Sequence, residues 1–115
     1  MLKQQNQTAY QKSSFFTSIA LKTPAGEPLR LSAGEKIIFG IKKSIASSYI
    51  VKKVLTPEHE LNGVYPVVLT PEELNKIPER YYYDASVQFP DGSFIKIVPK
   101  SNFDLLDSIT EKEEE

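Results

Sequence analysis

The sequence predicts an all-β protein, an antiparallel β-sandwich of six to eight strands with one short connecting helix. Three observations predict it. Apolar and polar residues alternate with period two in several short runs, most fully over residues 81–89. Turn signals built from Pro, Gly, Asn and Asp recur roughly every 8 to 15 residues. Only one segment carries helix signals, and it is too short for the crossover of a parallel βαβ unit.

In chain order, residues 1–13 are rich in Gln and Asn and read as a flexible N-terminal arm. Residues 14–22 are the first strand: Phe15, Thr17, Ile19 and Leu21 share one face, Phe16, Ser18 and Ala20 the other. Two prolines and a glycine make residues 23–28 a turn. A short apolar step follows at Leu29 to Leu31, broken by Ala33-Gly34. Residues 36–43 form a strand with Ile37, Phe39 and Ile41 on one face, and residues 49–55 form the next, rich in β-branched side chains. Asn62-Gly63 marks a turn, and Pro66 assigns the strand at 64–69 to an edge or a bulge. Thr70-Pro71-Glu72-Glu73 has the layout of a helix start: a capping Thr, a Pro at the first helical position, and a Glu placed to reach back to the cap. Pro78 ends that helix after about two turns. Tyr81, Tyr83, Ala85, Val87 and Phe89 face one way along the best strand; Tyr82, Asp84, Ser86 and Gln88 face the other. Asp91-Gly92 fits a two-residue type I′ hairpin turn that would set Phe89 opposite Phe94. Residues 94–98 return, and residues 103–105 add a last short strand. The domain therefore spans 14–106, and 107–115 read as an acidic, disordered tail.

The 115 residues suit one domain, held without disulfides because the chain has no Cys. Net charge is −1, divided into −5 from residue 104 onward and +4 before it. No apolar run approaches the roughly 18 residues of a membrane span, and the N-terminus lacks a signal-peptide layout. The expected location is thus not one reached by a signal peptide, and no membrane partner is expected. Catalytic chemistry finds little to work with. His59 is the only histidine, flanked by Glu58 and Glu60 in a loop, and lacks a second His or Cys to complete a metal site. There is no phosphate-cradling glycine loop and no nucleophile elbow. The expectation is no enzyme, no metal and no cofactor.

What remains is surface. Lys42, Lys43, Lys52 and Lys53 form a candidate basic patch if their strands pair, with tyrosines able to stack on bases. The acidic tail and near-zero net charge weigh against nucleic acid and favour lysines that guard sheet edges. Phe15, Phe16, Tyr49 and Tyr82 are candidate interface residues, since Tyr is enriched at interfaces and Phe15 and Phe16 point to opposite faces of one strand.

The ordered motifs carry a resemblance. They are the Gly26–Leu31 step, the strand end Lys42 to Ser44, Leu69-Thr-Pro-Glu-Glu73, Tyr81-Tyr-Tyr-Asp84 and Pro90-Asp-Gly92. Over about residues 14–106 the chain resembles the N-terminal domain of phage baseplate upper proteins and related small Ig-like siphophage tail proteins. The resemblance implies an Ig-like sandwich and a structural role in a tail or baseplate. It further implies a homo-oligomer docked to other tail or baseplate proteins, in the virion or in the host cytoplasm during assembly. The competing expectations are a carbohydrate- or ligand-binding sandwich, marked by convergence of Tyr49, Tyr65 and Tyr82, and a nucleic-acid-binding assembly factor.

Overall fold

Among the described residues nine strands form, most of them where side chains alternate between a dry and a wet face. The computed structural model describes residues 5–22, 25–44 and 46–108. In chain order the strands are β1 Gln7–Tyr10, β2 Phe15–Ile19, β3 Leu21–Lys22, β4 Pro28–Leu29, β5 Lys36–Lys42, β6 Tyr49–Leu55, β7 Tyr65–Leu69, β8 Arg80–Gln88 and β9 Phe94–Leu106. The large sheet has the order β1-β9-β8-β5-β6, and β2 pairs with β7 in the second sheet. A third, two-stranded ribbon joins β3 to β4. The run β9-β8-β5-β6 matches the G-F-C-C′ order of a variable-type immunoglobulin sheet, with β2 and β7 in the place of strands B and E. The protein is an all-β, Ig-like sandwich.

The core lies between the sheets. Ile37, Phe39 and Ile41 of β5, Tyr81, Tyr83, Ala85 and Val87 of β8, and Tyr65, Val67 and Leu69 of β7 are all buried. Antibody domains pin the sheets here with a disulfide over a Trp. This chain uses rings: Phe15 of β2 meets Phe103 of β9 edge-on at 5.2 Å, Phe103 meets Tyr83 at 6.1 Å, and Tyr83 meets Phe39 at 5.4 Å. Tyr81, second residue of β8, donates its hydroxyl to the Ile77 carbonyl at 2.7 Å. That is the tyrosine corner of Ig-like sandwiches.

Several expectations are corrected. Residues 1–13 are not an arm throughout. Gln7–Tyr10 is a strand, parallel to the end of β9 with Ala9 opposite Leu105, and it makes the large sheet mixed. Ala9 is small and buried, and the polar neighbours hid this alternation. Before it, the Gln5 amide donates to Ser101 Oγ, the Asn102 amide donates to Asn6 Oδ1, and the Tyr83 hydroxyl donates to the Gln5 carbonyl. The expected helix at 71–77 is absent. Its capping box forms, with the Glu73 amide on Thr70 Oγ1 at 3.1 Å and the Thr70 amide on Glu73 Oε1 at 2.9 Å. The chain then stops after one turn, because Pro78 leaves too few residues to repay nucleation. The one helical element among the described residues is a 3-10 turn at Pro57–His59. The return strand and the last short strand are one 13-residue strand, β9, with register shifts opposite Tyr83–Ser86. Pro99 sits in that bulged stretch, where a missing amide costs least. Of the tail, residues 109–115 lie outside the described residues.

The β8–β9 turn also differs. A type I′ turn needs positive φ at both Asp91 and Gly92, and only Gly92 has it in this loop, at 91°. The Gly92 amide bonds the Phe89 carbonyl and the Phe89 amide bonds the Ser93 carbonyl, so the loop is the three-residue form with a glycine bulge. Phe94 therefore pairs with Gln88, not Phe89. A one-residue slip changes faces, and Phe94 joins the outer side with Gln88.

Candidate docking face

The outer side of the large sheet holds a groove of about 390 Å³. Its floor is Ile38 and Gly40 of β5 and Asp84, Ser86 and Gln88 of β8; Lys42, Tyr49, Tyr82, Phe94, Lys96 and Lys100 wall it. Alternation places these side chains. Tyr81, Tyr83, Ala85 and Val87 enter the core, so Tyr82, Asp84, Ser86 and Gln88 must leave it.

Gly40 decides the shape at one end. The Tyr49 ring lies directly over it, so close that a Cβ at position 40 would overlap the ring carbons. On the ring stand the Lys42 ammonium at 4.8 Å and the Lys52 ammonium at 5.7 Å. At the other end the Lys100 ammonium stands 4.6 Å over the Tyr82 ring. Both tyrosines thus act as seats for ammonium groups. Between them Lys96 Nζ pairs with Asp84 Oδ2 at 2.6 Å. Lysines outnumber aspartate four to one, so the face carries a positive field. Phe94 adds an exposed ring, 66% accessible. Further along, Arg80 grips Asp104 with two bonds of 2.8 and 3.2 Å, and this holds the Asp104 carboxyl below its usual range.

The sequence candidates divide. Tyr49 and Tyr82 fall on this face, as do Lys42 and Lys52. Lys43 and Lys53 do not join them: Lys43 pairs with Glu79 at 3.5 Å and Lys53 with Glu73 at 2.8 Å. Lys53 sits opposite Phe39 and Lys52 opposite Gly40, so adjacent lysines take opposite sides of the sheet. The four-lysine patch is corrected to Lys42 and Lys52 with Lys96 and Lys100. Phe15 turns inward onto Phe103, which corrects its assignment to an interface. Phe16 is 70% exposed on the second sheet, opposite Val68. Tyr65 is fully buried and accepts the Leu31 amide at 2.8 Å, so the expected convergence of three tyrosines is a convergence of two. His59 Nδ1 accepts the Thr56 amide at 2.9 Å, shaping the 3-10 turn. Glu60 takes the Gly63 amide and pairs with Arg30. Among the described residues, no three of His, Cys, Asp or Glu gather as metal ligands.

Lys96, Lys100 and Phe94 escaped sequence reasoning. Lys96 follows from pairing with Ser86 once the hairpin register is known. Lys100 lies beyond the bulges, which no period-two pattern carries through.

No protein-family model matches the chain, and no curated protein matches it. A structure of murine CRIg is similar over 94% of this chain and 97% of that one, at 12% identity and a TM-score of 0.43.

Proposed function

We propose that this chain is a non-catalytic assembly module that docks to copies of itself and to neighbouring components through the outer face of its large sheet. The setting we propose is a phage-type tail or baseplate, where the ordered motifs at 26–31, 42–44, 69–73, 81–84 and 90–92 carry the resemblance. One observation carries the docking reading. Tyr49, Tyr82 and Phe94 gather around a shallow groove, as aromatic anchors gather at interfaces, and the four lysines around them give the groove a charge that selects an acidic partner.

A carbohydrate- or base-stacking module needs open ring faces. Tyr49 lies between the Gly40 backbone and two ammonium groups, and Tyr82 carries Lys100, so the same geometry favours anionic docking over stacking.

Light scattering over a concentration series tests the reading. The wild-type chain is expected to form a discrete oligomer, and Tyr82→Glu to weaken it at least tenfold. The mass of one chain at every concentration, for both proteins, overturns self-assembly.

A further inference from the structure

Lysines stand over a tyrosine at each end of the face, with the Lys96–Asp84 pair between the ends, and the separation of the ends has a length. Lys52 belongs to β6 and Lys100 to β9, three strand spacings apart, or about 14 Å. Each ammonium group is held over a tyrosine ring, and the floor between them is Ile38 and Gly40 of β5 with Asp84, Ser86 and Gln88 of β8, the Asp84 charge being taken up by Lys96. An extended polypeptide crossing the strands advances about 3.3 Å per residue, so carboxylates four residues apart sit about 13 Å apart. The matching ligand is an extended acidic segment with acids at i and i+4.

Two copies cannot meet face to face by a twofold axis, since that sets lysines against lysines. A head-to-tail contact avoids the clash, and the chain carries a complementary segment: Glu111 and Glu115 are four residues apart, with Glu113 and Glu114 between them. Within one chain that segment is too short. Going back from Leu106 to the level of Lys100 takes about 20 Å, whereas the step from Leu106 to Glu111 spans at most about 17 Å before any reversal.

We propose that the outer face of one copy binds the acidic segment 107–115 of a second copy, giving a heterologous, head-to-tail contact. The proposal rests on the docking reading above and names its occupant. Heterologous contacts build rings or open filaments, not closed pairs.

Complementation tests it. One full-length variant carries Lys42→Glu and Lys100→Glu, with its acidic segment intact. The other carries Glu111, Glu113, Glu114 and Glu115 all changed to Gln, with its face intact. Circular dichroism checks that both fold, and a Lys→Gln version of the face variant serves if the first does not. By analytical ultracentrifugation the wild type is expected to associate, and each variant alone to do so at least tenfold more weakly. Their equimolar mixture is expected to give a discrete one-to-one dimer, since only one productive contact remains.

A Gln variant that associates like wild type overturns the proposal while leaving docking through the face standing. A mixture that stays at the mass of one chain also overturns it. A wild-type chain that never associates overturns both readings. Tight, salt-sensitive binding of a single-stranded oligonucleotide to the wild type, without self-association and lost in the face variant, assigns the face to nucleic acid.

Discussion

At the scale of single residues, Gly40 controls more of the docking face than any charged group. Its missing Cβ is the space in which the Tyr49 ring rests, and that ring seats Lys42 and Lys52. Replacing Gly40 with Ala leaves the strand intact, because a β-position tolerates Ala and the displaced ring is nearly half exposed. The ring must swing outward. Gly40 is buried beneath that ring, so thermal stability is expected to fall by about 1 kcal/mol, the usual cost of a single substitution that displaces a packed neighbour, while self-association weakens several-fold. Tyr49→Ser alone should weaken it equally, and the double variant no further, because both act through one seat. Additive losses in light scattering would show that the two positions act separately. Alternation against Ile37, Phe39 and Ile41 puts Gly40 on the outer face of its strand; that Tyr49 sits above it depends on a register shift between Ile41 and Lys42.

At the scale of elements, the turn between β7 and β8 shows where local signals suffice and where they stop. Thr70 and Glu73 were readable as a reciprocal cap, and they form one. The helix they announce does not follow, since capping satisfies a first turn but propagation needs residues that Pro78 removes. Likewise, full alternation made β8 and its outward residues legible from the sequence, whereas β1 was lost in a Gln-rich stretch, and Lys100 lay past two shifts of register. The cap has a pH signature. Burial pushes the Glu73 carboxyl up, but hydrogen bonds from Lys53 and Thr70, with the Lys53 charge, outweigh it and hold the carboxyl below its ordinary value of 4.5. A depressed folded-state pKa contributes stability that is complete above pH 4.5 and lost as pH falls through the folded value. Glu73→Gln is therefore expected to destabilise at pH 7 by up to about 1 kcal/mol, the range for a partly exposed pair. Urea unfolding should show the gap closing as pH drops below 4. A gap that persists at pH 2.5 would assign the effect to shape, not charge.

At the scale of the whole molecule, Tyr83 ties three parts of the fold together. Its ring stands between Phe39 and Phe103, and its hydroxyl holds the Gln5 carbonyl ahead of β1. Burial raises its pKa above the ordinary 10.0, against an opposing hydrogen bond from Gln7; burial and the Glu79 charge raise that of Tyr81. A raised pKa means stability that is complete below pH 10 and lost as pH climbs through the folded value, because the unfolded chain releases the proton more readily. The sandwich has no disulfide to hold it once these phenols ionise. Unfolding is expected to set in above pH 10, with the phenolate absorbance of the two buried tyrosines rising together with the loss of β-sheet circular dichroism. Tyr83→Phe separates the two roles of the hydroxyl. At pH 7 the variant loses the bond to Gln5 and should be less stable by about 1 kcal/mol. Above pH 10 it has one fewer buried acid to ionise, so the difference from wild type should shrink and then reverse. A constant difference from pH 7 to 11.5 would mean that Tyr83 does not titrate with unfolding, and that alkaline sensitivity resides elsewhere in the core.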